Sequence, residues 1–108
     1  MSDELQRLEQ LLLQDPFDTA SRAAYAGLLE NAERHADALT QWRLVCKATP
    51  QSAEPWVRAA LCSADLEDTD AAAEALAKAR ACSDFDSEDP RLARLAPPEA
   101  PAARLFVL

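Results

Sequence analysis

Glycine is almost missing from this chain: Gly27 is the only one in 108 residues. That excludes a glycine-rich loop cradling phosphates. It also argues against a β-rich fold, which needs glycine turns between alternating Val, Ile and Thr runs. Histidine occurs once as well, at His35. It falls in a turn between expected helices, where capping or solvent exposure suits it better than acting as a catalytic base beside a nucleophile. The three cysteines, Cys46, Cys62 and Cys82, are odd in number and widely spaced. No disulfide framework or zinc site is expected from that arithmetic, only reduced thiols acting as small apolar groups. Basic charge is scarce: 11 Lys and Arg stand against 19 Asp and Glu, a net charge of −8. Such a balance disfavours nucleic acid, whose phosphates call for a basic face. No stretch approaches the roughly 20 apolar residues of a membrane span. The start, Met1-Ser2-Asp3-Glu4, has no secretory character, so a soluble, cytoplasmic protein without membrane contact is expected.

Helix formers fill the space these absences leave. Twenty-four residues are Ala and sixteen are Leu; both stabilise helices. Apolar positions recur at three- and four-residue steps. This predicts helices over about Asp3 to Gln14, Thr19 to Ala32, His35 to Ala48, a fourth following Ser52, and a fifth over about Asp70 to Cys82. Asp18 or Thr19 is a candidate cap for the second, and Ser52 for the fourth. Pro16 and Pro50 stop the first and third, while Pro55 lies in the first turn of the fourth, where its missing N–H had no partner. Ser87-Glu88-Asp89-Pro90 mirrors Ser52-Ala53-Glu54-Pro55 and predicts a sixth helix, cut short by Pro97-Pro98.

The breaks themselves repeat. Pro16 and Pro50 are 34 residues apart, and Phe17-Asp18 returns as Phe85-Asp86 after two such periods. A fixed period of this length marks stacked helix pairs, each burying its face only against its neighbours. One unit reads Tyr25-Ala26-x-x-Leu29, then Ala38-x-x-x-Trp42, then Pro50. The next reads Trp56-x-x-Ala59-Ala60-x-x-Ser63, then Ala72-x-x-x-Leu76, with Asp84 where proline is expected. These residues resemble the tetratricopeptide repeat, whose pattern places Trp, Leu-Gly, Tyr, Ala, Phe and Pro at corresponding positions. Arg22, Ala26, Ala60 and Ser63 depart from it. The expected fold is all-α: antiparallel helix pairs stacked as a short right-handed solenoid of about six helices, over residues 1–96. Residues 97–108 form a Pro/Ala-rich linker and an apolar tail. Tyr25, Leu29, Ala38, Trp42, Trp56, Ala72 and Leu76 are the expected core.

In that family the first helix of each pair lines a concave groove that holds partners. The resemblance therefore implies a protein-interaction module that binds a peptide or helix of a partner protein. Its groove would be lined by Ala20, Ala24, Gly27 and Asn31 on the second helix and by Glu54, Val57, Arg58 and Leu61 on the fourth. Arg58 would be its one fixed positive donor. No catalytic group, metal or cofactor is expected. Asp84-x-Asp86-x-Glu88 starts like a calcium loop, but Asp89 stands where glycine is needed and Leu95 where a bidentate acid is needed. Leu105, Phe106, Val107 and Leu108 are too apolar to sit comfortably in water and predict a docking tail, with a homo-oligomer formed through it as one outcome. The layout also resembles bacterial proteins that place a short repeat region and a Pro/Ala linker before an ATPase module. That resemblance implies, as the alternative, a regulatory, recruitment or oligomerisation segment of a larger protein.

Overall fold

Each helix of the computed structural model, which describes residues 2–95, begins or ends where the sequence places a break. Five α-helices follow one another: α1 Ser2–Gln14, α2 Thr19–Asn31, α3 His35–Ala48, α4 Ala53–Asp65 and α5 Thr69–Arg80. A 3-10 helix, Pro90–Leu95, comes last. The sixth element is thus no α-helix. The seven residues between Asp89 and the Pro97-Pro98 pair do not repay the cost of an α-helical nucleus, and short 3-10 turns are the usual substitute. Among the described residues there is no strand, and no helix is long and apolar enough to cross a membrane.

Local chemistry sets the boundaries. Asp18 accepts from the Ser21 backbone N–H at 3.1 Å and caps α2, and Asp68 accepts from Ala71 N–H at 3.1 Å and caps α5. Each satisfies one of the orphan donors of a first turn. Ser52 stands at the expected cap of α4 but makes no side-chain cap bond. Its place is taken by Asp84, 31 residues downstream, which accepts from Ala53 N–H at 2.9 Å. The residue standing in for a repeat proline therefore ties the end of α5 back to the start of α4.

The period is written in the backbone too. Glu33 and Glu67 adopt left-handed φ values of 60° and 62°, one period apart. After α2, Arg34 N–H donates to Leu29 C=O; after α4, Asp68 N–H donates to Ser63 C=O, both at 2.9 Å. Two equivalent left-handed turns close the two helix ends in one geometry.

Consecutive helices pack on one another, and the 3-10 segment touches both α4 and α5. The main core gathers Ala26 and Leu29 of α2, Leu39, Trp42, Val45 and Cys46 of α3, and Ala59, Ala60 and Cys62 of α4. Alanine at so many of these positions brings the helices close but buries little area per residue. Trp42, Leu29, Leu39 and Val45 thus supply much of the hydrophobic stabilisation. A second, smaller cluster of Val57, Leu61 and Ala79 lies under Phe85 and Leu95.

Candidate functional site

The face of α4 expected to line an open groove is covered. Glu54, Val57, Leu61 and Asp65 follow one another at three- and four-residue steps, so they share one stripe. Val57 and Leu61 are only 3% and 4% exposed, which removes both from the list of groove-lining residues. Ala79 of α5 joins them in one cluster, and the chain beyond α5, which turns at Phe85 and returns as the Pro90–Leu95 segment, adds Phe85 and Leu95 to the cover. Periodicity put these residues on one side of α4, but it carried no sign of what would lie there.

Ion pairs hold this cover at both ends of the stripe. At one end Arg91 donates to both oxygens of Glu54, at 2.7 and 2.9 Å, and to Asp89. At the other, Arg94 donates to Asp65 at 2.5 Å. Hydrogen bonds from Arg91 hold the carboxyl of Glu54 below its usual range and bring that of Asp89 down to about 2. Glu54 is thus an anchor for Arg91 rather than an open groove position.

Arg58 is not the free donor expected of it. Its Nε donates to Glu54 and its Nη1 to Glu30, both at 2.9 Å, while its guanidinium lies 5.1 Å from the centre of the Trp42 ring. Burial alone would lower its pKa, but the hydrogen bonds and charges of Glu54 and Glu30 outweigh that and raise it. Glu30 also accepts from the indole N–H of Trp42. A polar chain therefore runs from α3 through Glu30, Arg58 and Glu54 to Arg91. A binding role that needs Arg58 to grip a ligand carboxylate would first have to break two ion pairs.

His35 and Asp65 make a second meeting point, with Nδ1 and Oδ2 3.5 Å apart. Asp65 already receives Arg94, and the His35 Nδ1 is buried without a hydrogen-bond partner. The imidazole, at the start of α3, is half-buried against Asp65 at the end of α4.

The α2 half of the expected groove is different. Ala20, Ala24 and Asn31 are exposed, and Gly27 is half-buried. A Cβ built on Gly27 would meet nothing within 4 Å, so bare backbone is not required by packing there. This strip is smooth and carries no charge of its own.

Of the expected core, Leu29, Ala38, Trp42 and Ala72 are buried, whereas Tyr25, Trp56 and Leu76 are half-buried. Each half-buried aromatic keeps its polar end in use. Tyr25 donates to Glu9 at 2.7 Å and Trp56 Nε1 to Pro50 C=O at 3.0 Å. The Trp56 ring lies under Lys78 at 5.6 Å and borders a cleft of about 280 Å³, shared with Leu39, Arg43 and Lys78. Burial pushes the Cys46 and Cys62 thiols up to about 11 and 12, which keeps both protonated and unreactive. No three His, Cys, Asp or Glu side chains gather into a metal-binding group among the described residues. Leu105, Phe106, Val107 and Leu108 lie outside the described residues.

The residues that sequence reasoning missed are Arg91, Arg94, Glu30 and Asp84. One signal was present in the chain: two acids at the ends of one α4 stripe, and two arginines a turn apart downstream. No family model, no curated protein and no solved structure matches this chain.

Proposed function

We propose that the chain is a protein-interaction module of stacked helix pairs, tetratricopeptide-like and cytoplasmic, that holds a peptide or helix of a partner protein against the face shared by α2 and α4. The observation that carries this reading is the occupation of α4 by a short peptide segment. The six residues Pro90–Leu95, none of them buried, lie on it through side-chain ion pairs and one leucine. A surface that seats its own short segment in this way has the chemistry to seat another. Beside it, the exposed strip of Ala20, Ala24 and Asn31 leaves room for a longer ligand to continue onto α2. Affinity capture with the wild-type chain and with an Ala24→Arg/Gly27→Arg variant tests this. A partner held by wild type and released by the variant is expected, and equal capture by both refutes the α2 contribution.

The exposed start of the stack favours a second reading, an oligomerisation or recruitment segment of a larger protein such as an ATPase. Leu13 and Phe17 are large apolar side chains left in solvent there, and such surface marks association sites when it is contiguous. Sedimentation of wild type and of a Leu13→Glu/Phe17→Glu variant separates the readings. A mass that falls in the variant supports self-association through this end.

A further inference from the structure

Glu54 and Asp65 sit eleven residues apart on α4, about 16 Å along a helix rising 1.5 Å per residue. Val57 and Leu61 lie between them. This stripe reads acid, apolar, apolar, acid. Its present occupant reads as the complement: Arg91 and Arg94 take the two acids, while Leu95 enters the apolar middle. The arginines are only three positions apart, so their long side chains reach apart to span the acids. The chain thus contains both a receptor face and a worked example of what fits it.

Resting on the reading above, we infer that this face of α4 binds a short basic–apolar segment of a partner protein, with two arginines a helical turn apart beside leucine, and that Pro90–Leu95 is its internal stand-in. Several observations point the same way. The stand-in is held weakly: its residues are all exposed or half-buried, and its ion pairs stay open to water, with Arg94 54% and Glu54 51% exposed. Ion pairs at that exposure contribute little to holding a segment down. It is also short: of its six residues only Leu95 packs on the Val57–Leu61–Ala79 cluster, beside Phe85 and Trp56, where an amphipathic helix of several turns would bring more. The surrounding charge is acidic, nine acids against Lys78 and Arg80 between Asp65 and Asp89. That field draws in a basic partner and repels an acidic one. The tether sets the threshold, since an attached segment competes at an effective concentration on the order of millimolar. A partner must therefore add apolar contact, not merely repeat the two arginines.

The test uses the full chain and a fluorescein-labelled peptide copying residues 88–96, read by fluorescence anisotropy. An Arg91→Glu/Arg94→Glu variant, whose own segment is repelled by Glu54 and Asp65, is expected to bind the peptide at least tenfold more tightly than wild type. That binding should weaken as salt rises, and a peptide with both arginines changed to Glu should not bind. Equal affinities, or no binding by a variant that keeps its helical circular dichroism, overturn the inference. Should the variant not fold, wild type with millimolar peptide decides: the methyl resonances of Val57 and Leu61 are expected to move, and unmoved methyls overturn it. A wild-type dimer that becomes monomeric in the variant gives the face to a second copy and overturns the partner assignment. If a captured partner is lost with Ala24→Arg/Gly27→Arg while the peptide binds nowhere, this inference fails and the general reading stands. If the peptide binds but no protein depends on the α2 strip, the reverse holds.

Discussion

Phe17 and Phe85 occupy the same phase of the repeat, two periods apart, and meet opposite fates. Phe17 is 90% exposed at the open end, while Phe85 packs over Val57, Leu61 and Ala79 at the covered end. The contrast extends into the helices. Leu11, Val45 and Ala79 are equivalent positions on α1, α3 and α5, and their exposures are 37%, 3% and 0%. Where α3 and α5 each have a preceding helix, α2 and α4, to pack against, α1 has none among the described residues. Burial along this run of adjacent helices is decided by the neighbour and not by the residue. The apolar pattern states what each position would bury, and the ends decide whether it does.

The comparison can be broken most forcefully at the centre. Trp42→Ala removes a buried ring together with the indole partner of Glu30 and the platform under Arg58, and should cost about 3–5 kcal/mol. Leu8, in the same phase on α1, is also buried, but among the described residues α1 leans chiefly on α2. Leu8→Ala should sit at the low end of its class, about 2 kcal/mol. Urea titrations of both variants check this, and equal losses would end the idea of a strong centre and a weak end.

Next in size is the phenylalanine pair. Phe85→Ala should cost about 1–3 kcal/mol through lost apolar burial, whereas Phe17→Ala should stay within about 0.5 kcal/mol. Thermal melts would sharpen the contrast. A Phe17→Ala variant that melts well below wild type would show that the open end is occupied in solution.

A smaller effect of opposite sign is expected at Gly27. Its missing Cβ meets open space, so Gly27→Ala should stabilise α2 by about 0.5–1 kcal/mol. A loss instead would mean that something packs on the bare backbone there.

The smallest effect is confined to the covered end. Glu54 and Asp89 have carboxyls lowered by Arg91, from ordinary values of 4.5 and 3.8, with Asp89 near 2. A depressed carboxyl contributes stability above its ordinary pKa and loses it as pH falls through the lowered one. Docking of Pro90–Leu95 should thus be unchanged at neutral pH and weaken from about pH 4 down towards pH 2. Amide exchange at Leu92 and Leu95, followed against α1 as a control, would show it. Loosening on going above neutral pH would contradict the sign.

Much of the fold was legible because proline and leucine spacing act locally. Pro16, Pro50 and the three- and four-residue steps of Leu5, Leu8, Leu39 and Trp42 speak within one helix, and α1 to α5 fall where they point. What stayed hidden depends on residues far apart in the chain. The bonds between Glu54 and Arg91 join positions 37 apart, and the Asp84 cap of Ala53 joins positions 31 apart. Nothing in the spacing around Val57 and Leu61 distinguishes a groove from a surface that a later segment covers. Of the two acids that claim Arg58, Glu54 lies one turn back on its own helix and was within reach of the spacing, but Glu30 belongs to another helix and was not. The α4 face was therefore legible as one stripe of residues, and illegible in what covers it.

The ladder of contacts between consecutive helices carries a consequence for how the chain comes together and apart. Each of α1 to α5 touches chiefly the helix before and after it, and the 3-10 segment packs chiefly on α4 and α5. Loops that close over such short separations cost little entropy, so assembly should be rapid and should spread outward from α3 and α4 like a zipper. Unravelling would run the other way, with α1 opening and reclosing many times for each event that exposes Trp42.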